Sequence, residues 1–298
     1  MIKGQPSRTA LLTAVQRAHH FHTAPEPKVL RDDLALALTG LETLEAAQGY
    51  IDGMIDIFTK LSDRQTAETF MSRVDASVCM RSRVVEEELE LARSRGVKQL
   101  VILGAGLDTT AYRRTDLTEG LQVFEVDHPS TQAWKRERLQ AANITIPENL
   151  AFVSFDFENQ TLAQALKVGG VRSDYATFFT WLGVQMYLTP EAVTSTLGVL
   201  GKFPKGSEIV MDFISPSYVL AGGVADDSVA QLSKVVSEMG EPLKSEYYEE
   251  DLEALLNTSG FNEVKYLNAR WLIDNYLGGN KAAFDMPDAA TSILYAVV

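Results

Sequence analysis

Hydrophobic positions follow two rhythms along this chain, and the change falls near residue 99. Before it, apolar residues recur at helical spacing. Ser7 is placed to cap a helix running to about His20. Leu34, Leu36, Leu38 and Leu41 predict a second helix, Ile51–Leu61 a third, and Ala67–Ser94 a long amphipathic fourth that Gly96 stops. From Gln99 onward, short apolar runs alternate with helical stretches. Strands are predicted at Leu100–Leu103, Val123–Val126, Phe152–Phe155, Ala176–Thr180 and Glu208–Phe213. The helices between them fall at about Thr109–Arg114, Ser130–Ala142, Leu162–Lys167 and Pro190–Gly201. That alternation predicts an α/β fold with a parallel sheet and helices on both faces.

A helix at Glu249–Ser259, stopped by Gly260, precedes two last strands, Val264–Leu267 and Ile293–Val298. No parallel-type unit is visible between these two, so they are expected to pair as a hairpin. The final run, SILYAVV, is apolar enough to be buried on both faces. The pattern therefore divides into an N-terminal helical cap over residues 1–95 and a sheet core over 96–298. Residues 214–246 are long for a connection inside a compact sheet domain. They follow a strand end, where ligands bind in such sheets. They read either as a lid, with Gly222-Gly223 lending flexibility, or as an ordinary helical insertion.

Composition narrows the class. The 298 residues are 46% hydrophobic and 22% charged, as in soluble globular proteins. No apolar run reaches the ~18–20 residues of a membrane helix, and no secretory signal is expected at the N-terminus. The single cysteine, Cys79, excludes an internal disulfide and fits a reducing cytoplasm. A net charge of −13 with no basic run longer than two residues argues against nucleic acid as a partner. No zinc-type Cys/His spacing is present, so no metal is expected.

The chemistry concentrates in QLVILGAGLDTTAYRR (99–114) and FEVDHPSTQAWK (124–135). An apolar run ends in Gly104-Ala105-Gly106, and a second ends in Glu125-Val126-Asp127 about twenty residues later. A glycine turn after one strand and a carboxylate after the next is the layout that holds a nucleoside. The glycines let the backbone approach a ligand that a Cβ would push away, and the carboxylate can accept both ribose hydroxyls. Glu125 and Asp127 are read as alternating across the strand end, so that only one faces the ligand; position favours Asp127. The dinucleotide fingerprint would need a third glycine where this chain has Thr109. Asp108, at the start of the next helix, suits the helix dipole but repels phosphate. The nucleoside is therefore expected to lack phosphates, and S-adenosyl-L-methionine is the candidate cofactor. An NAD-dependent oxidoreductase is the disfavoured rival.

These residues carry a family likeness. SRTALLTAVQRAHH, MRSR at 80–83, LGAGLDTTAYR, FEVDHPSTQAWK, VSFDF at 153–157 and WLGVQMYLTPEA at 181–192 follow in order over residues 7 to 200. In these stretches the chain resembles the leucine carboxyl methyltransferase family and its bacterial relatives, S-adenosylmethionine-dependent O-methyltransferases. The resemblance implies the class I methyltransferase (Rossmann-like) fold, with seven strands and an N-terminal helical cap. It also implies cofactor-binding roles. Arg81 would bind the methionine carboxylate. Gly104, with Ala105 and Gly106, would form the glycine turn. Asp127 would hold the ribose, with His128 at the cofactor rim. Asp156 would contact the adenine amino group, with Phe157 beside the ring. Where many members carry a glutamate, this chain has Leu182, which suggests a different pocket.

The acceptor end is less defined. His19, His20 and His22 lie near one another on the first helix; a solvated helix end is the plain reading, and a base for catalysis the sharper one. Trp181 and Tyr187 are core residues or walls of the methyl-transfer cleft. A carboxylate acceptor is ionised at pH 7 and needs no base, whereas a hydroxyl usually does. The expected function is therefore O-methylation of a small molecule, carboxylate slightly ahead of hydroxyl. A non-catalytic cofactor-binding protein is the alternative that Leu182 motivates.

Overall fold

The computed structural model describes residues 7–60, 63–157, 159–216, 233, 237, 240–277 and 292–298. Most of the lid expected at 214–246, including Gly222-Gly223, lies outside the described residues.

Four helices come first: α1 (Arg8–Thr23), α2 (Ala35–Thr39), α3 (Leu44–Thr59) and α4 (Arg64–Ser94). Ser7 caps α1 as expected, its hydroxyl accepting from the Ala10 N–H at 3.1 Å. Helix α2 is short because Gly40 ends it in the left-handed conformation. The long α4 serves two layers. Its first half, through Ala67 and Met71, packs on α1 and α3. Its second half, through Met80, Val84 and Leu89, packs on the sheet. Cap and core thus share one continuous helix.

The sheet holds seven strands in the order β3-β2-β1-β4-β5-β7-β6. They are β1 (Gln99–Leu103), β2 (Gln122–Asp127), β3 (Leu150–Ser154), β4 (Thr177–Trp181), β5 (Glu208–Phe213), β6 (Glu263–Leu267) and β7 (Ser292–Val297). The first five run parallel. β7 is antiparallel to both β5 and β6, so it is flanked on both edges.

Helices cover both faces. On one side lie α4, α5 (Thr110–Arg113), α6 (Thr115–Thr118) and α7 (Pro129–Ala141). On the other lie α8 (Leu162–Val168), α9 (Pro190–Leu200) and α10 (Glu249–Ser259), whose Leu166, Leu197 and Leu256 join Phe179 and Ile209 in a second core. One expectation is corrected. β6 and β7 do pair, but not through a tight hairpin turn, because helix α11 (Ala269–Tyr276) follows β6. Its eight residues, with Trp271, Leu272 and Ile273 consecutive, span too few turns to show a helical period between two strands.

Candidate active site

The sheet order reverses direction between β1 and β4, and crevices form at such switch points beyond the carboxyl ends of strands. A cavity of about 630 Å³ lies there, bounded by the ends of β1, β2, β4 and β5, by α1 and α4, and by residues 241–244.

The glycine turn forms its floor. Gly104 and Gly106 have φ of +67° and +47°. This region strains any residue with a Cβ. Both positions are also crowded by this chain itself. A Cβ on Gly104 would lie 2.2 Å from Val184 Cγ2, and one on Gly106 would lie 3.1 Å from the Ala10 Cβ. The close approach expected of a ligand is here also an approach of the turn after β4 and of helix α1. Asp108 sits just before α5, its carboxylate accepting from the Thr110 N–H at 2.8 Å. Thr109, where a dinucleotide site would carry glycine, is buried and donates to Asp32 at 2.7 Å.

Asp127, the last residue of β2, lines the cavity. Its Oδ2 accepts from the Gly106 N–H at 2.5 Å and its Oδ1 from the His128 N–H at 2.6 Å. Burial raises its pKa, and these two hydrogen bonds oppose the rise. Each oxygen keeps a further acceptor site for a sugar hydroxyl. The expectation for Glu125 needs correction. Two residues apart, Glu125 and Asp127 share a face of the strand. Depth separates them: Glu125 is sealed in the interior against Lys135 of α7 at 2.7 Å, and only Asp127 reaches the cavity.

Helix α4 presents Phe70, Arg73, Val74, Ser77, Val78 and Arg81 to the cavity. Their spacing of three and four residues makes one stripe along the helix. Arg83, two residues further, points elsewhere and pairs with Glu87 at 2.8 Å on the surface. Arg81 does not form a surface pair with the nearby Glu86 or Glu87 of its own helix. Its Nη1 donates to Asp212 Oδ2 at 2.5 Å, and both side chains are nearly buried. Glu86 instead receives Arg113 and Arg114.

Asp156 and Phe157 also line the cavity, in the loop after β3. Asn159 Nδ2 donates to Asp156 Oδ2 at 2.8 Å. Phe157 packs edge-on to Phe155 and nearly parallel to Trp181, with ring centroids 6.3 Å apart. Trp181 is fully buried and is not among the lining residues; it backs Phe157. Leu182 and Tyr187 do line the cavity, and burial pushes the Tyr187 phenol up to about 12.

His19 and His20 stand outside the lining, beyond Gln16 and Arg17. The His20 Nε2 accepts from the Leu30 N–H at 3.4 Å, and burial holds its pKa down at about 4. Burial lowers His19 as well. His128, by contrast, lines the cavity while capping α7.

Among the lining residues that the sequence did not single out, three matter most to the site. Glu241 accepts from the Arg8 and Thr9 N–H groups at 3.2 and 3.1 Å, closing the N-terminus of α1 over the cavity. Gln16 is buried at 1% exposure, and neither its amide oxygen nor its nitrogen has a partner among the described residues. Asp212 meets Arg81 across 131 residues of chain. Such distant pairings leave no local pattern.

The sequence model of the leucine carboxyl methyltransferase family matches residues 10–201. A Bacillus subtilis protein, YktD, provisionally named an S-adenosyl-L-methionine-dependent methyltransferase, is 33% identical over 94% of each chain. A solved structure from Thermobifida fusca, provisionally named a methyltransferase, covers 99% of this chain and 96% of its own with a TM-score of 0.57 at 15% identity. A DUF574 family protein from Streptomyces avermitilis covers 88% of this chain and 93% of its own at a TM-score of 0.56 and 15% identity. At these identities the two structures are alike in fold.

Proposed function

Because the chain belongs to the leucine carboxyl methyltransferase family, we propose that this S-adenosyl-L-methionine-dependent methyltransferase O-methylates a small molecule, and that the acceptor oxygen is a carboxylate. The cavity fits the cofactor. Asp127 offers acceptors for a ribose, Arg81 a guanidinium for the amino-acid tail, and Asp156 with Phe157 an acceptor and a ring face for adenine.

The bound cofactor supplies a methyl group carried on a positively charged sulfur. The protein's part is to align and to exclude water. Glu241 holds α1 down over the site, and the apolar side chains of Leu12, Phe70, Val78 and Met186 line it. Such a wall suits a small acceptor with an apolar body. The observation that carries the carboxylate is the placement of His19 and His20, the candidate bases of α1, outside the cavity lining. A hydroxyl would need its proton taken; a carboxylate presents an anion already. Two other candidates line the cavity, but the His128 Nδ1 is engaged with Ser130 at the start of α7, and the Tyr187 phenol is held in its protonated form at neutral pH.

The test is transfer of labelled methyl to a panel of apolar carboxylic acids and matched phenols. Methyl esters release methanol in alkali, whereas aryl methyl ethers do not. Alkali-labile product is expected. Alkali-stable product would move the acceptor to a hydroxyl, and cofactor binding without turnover of any class would favour a binding protein.

A further inference from the structure

Asp212 is the last residue but one of β5, and Trp181, the last of β4, pairs with its neighbour Met211. That register brings Asp212 beside the turn that begins at Leu182. The carboxylate uses both oxygens. Oδ2 receives Arg81 Nη1 at 2.5 Å, and Oδ1 receives the Gly183 N–H at 2.7 Å. Gly183 itself has φ +67°, and a Cβ there would come within 3.0 Å of Arg81 Nη2. One guanidinium is thus held along one edge by a carboxylate and against one face by a bare glycine. Asp212 and Arg81 both line the cavity, with side-chain exposures of 10% and 14%.

We infer that Asp212 is a positioning residue for cofactor recognition: by fixing Arg81 Nη1 and the Gly183 turn together, it presents the remaining N–H groups of Arg81 to the carboxylate of the cofactor's amino-acid tail. The physical reasons are three. A long arginine side chain loses rotamer entropy when it binds, and a clamp made during folding removes that loss from the binding step. A guanidinium carries five N–H donors, so the one given to Asp212 leaves others for a second carboxylate. The pair also keeps the site close to neutral before a ligand arrives, which lessens the penalty of burying a lone cation.

This inference depends on the reading of Arg81 as the tail-binding cation, so the experiment separates the two. Calorimetry would measure two neutral thioether nucleosides: S-adenosylhomocysteine, which has the amino-acid tail, and 5′-methylthioadenosine, which lacks it. Asp212→Asn keeps shape but cannot accept from Arg81 and Gly183 in the same geometry. It should weaken S-adenosylhomocysteine about tenfold or more, as expected for a charge-assisted contact, and leave 5′-methylthioadenosine within about twofold. Arg81→Met should show the same selectivity. If Arg81→Met is selective and Asp212→Asn weakens both nucleosides alike, weakens neither, or tightens the tailed one, the clamp is wrong and Arg81 stands. If Arg81→Met is itself unselective, the reading of Arg81 falls first and the clamp with it. Should Asp212→Asn not fold, Asp212→Glu, which displaces the charge by one methylene, is judged by the same selectivity.

Discussion

Val184 occupies the space that a side chain on Gly104 would need: a Cβ built there lies 2.2 Å from Val184 Cγ2. Gly104 is therefore required by the packing of the turn after β4 as well as by its φ of +67°. Gly104→Ala should lower stability by about 1–3 kcal/mol, combining left-handed strain with overpacking. Adding Val184→Ala should recover the packing part and leave the strain. Urea midpoints of the two single variants and the double variant check this; strict additivity would disprove the contact as the cause.

The Asp127 carboxylate also holds the backbone around it, accepting from the Gly106 and His128 N–H groups. Asp127→Ala should weaken S-adenosylhomocysteine and 5′-methylthioadenosine equally, by about 1.5–3 kcal/mol. This is the opposite pattern to that expected at Asp212. Wild-type affinity in the same calorimetric titrations would remove Asp127 from the site.

Asp32 is a buried hub. It accepts from Arg17 Nε at 2.8 Å and from Thr109 at 2.7 Å, and Arg113 lies 3.6 Å away. Arg17 reaches on to the Leu107 carbonyl at 2.6 Å, so the hub ties α1 to the glycine turn. Asp32→Ala leaves the buried Arg17 guanidinium without its carboxylate, while Arg113 keeps Glu86, and should cost about 3–5 kcal/mol in denaturant unfolding. Thr109→Val, which removes one neutral donor to the same carboxylate, should cost clearly less.

Asp75 sets a pH dependence. One of its oxygens is buried with no partner among the described residues, and burial pushes its pKa up to about 7. The folded pKa lies above the unfolded value, so the folded state binds more protons between them, and stability is lost as pH rises from about 4 to 7. Asp75→Asn abolishes that loss. Its melting temperature should exceed the wild type's at pH 8, by about 2–4 °C if the relief reaches ~1 kcal/mol, with the gain shrinking toward pH 4. An equal gain at both pH values would rule out titration of Asp75.

Gln16 offers a test in the ligand-free protein. With both amide atoms buried and unpartnered among the described residues, it contributes desolvation without return. Gln16→Met keeps the length and removes the polar atoms, so thermal unfolding should show it as stable as wild type or more so. Destabilisation beyond about 1 kcal/mol would mean that the amide is satisfied in the folded chain.

Much of this protein was legible in the order of its residues. Alternating runs revealed the parallel sheet, Ser7 and Gly260 the helix ends, and GAG followed by Glu125-Val126-Asp127 the cavity at the strand tips, because periodicity, caps and turns are local effects. Helix α11 was missed, since eight residues between two strands carry too short a pattern. What only tertiary structure decided are the choices of partner. Arg81 takes Asp212 rather than Glu86 or Glu87, Glu125 sinks against Lys135, His19 and His20 fall beyond the cavity, and Val184 leans on Gly104. A charged side chain in sequence has many possible partners at similar distance along the chain. The packing of α1 and α4 onto the sheet selects one, since in a close-packed interior each buried charge has few neighbours within reach.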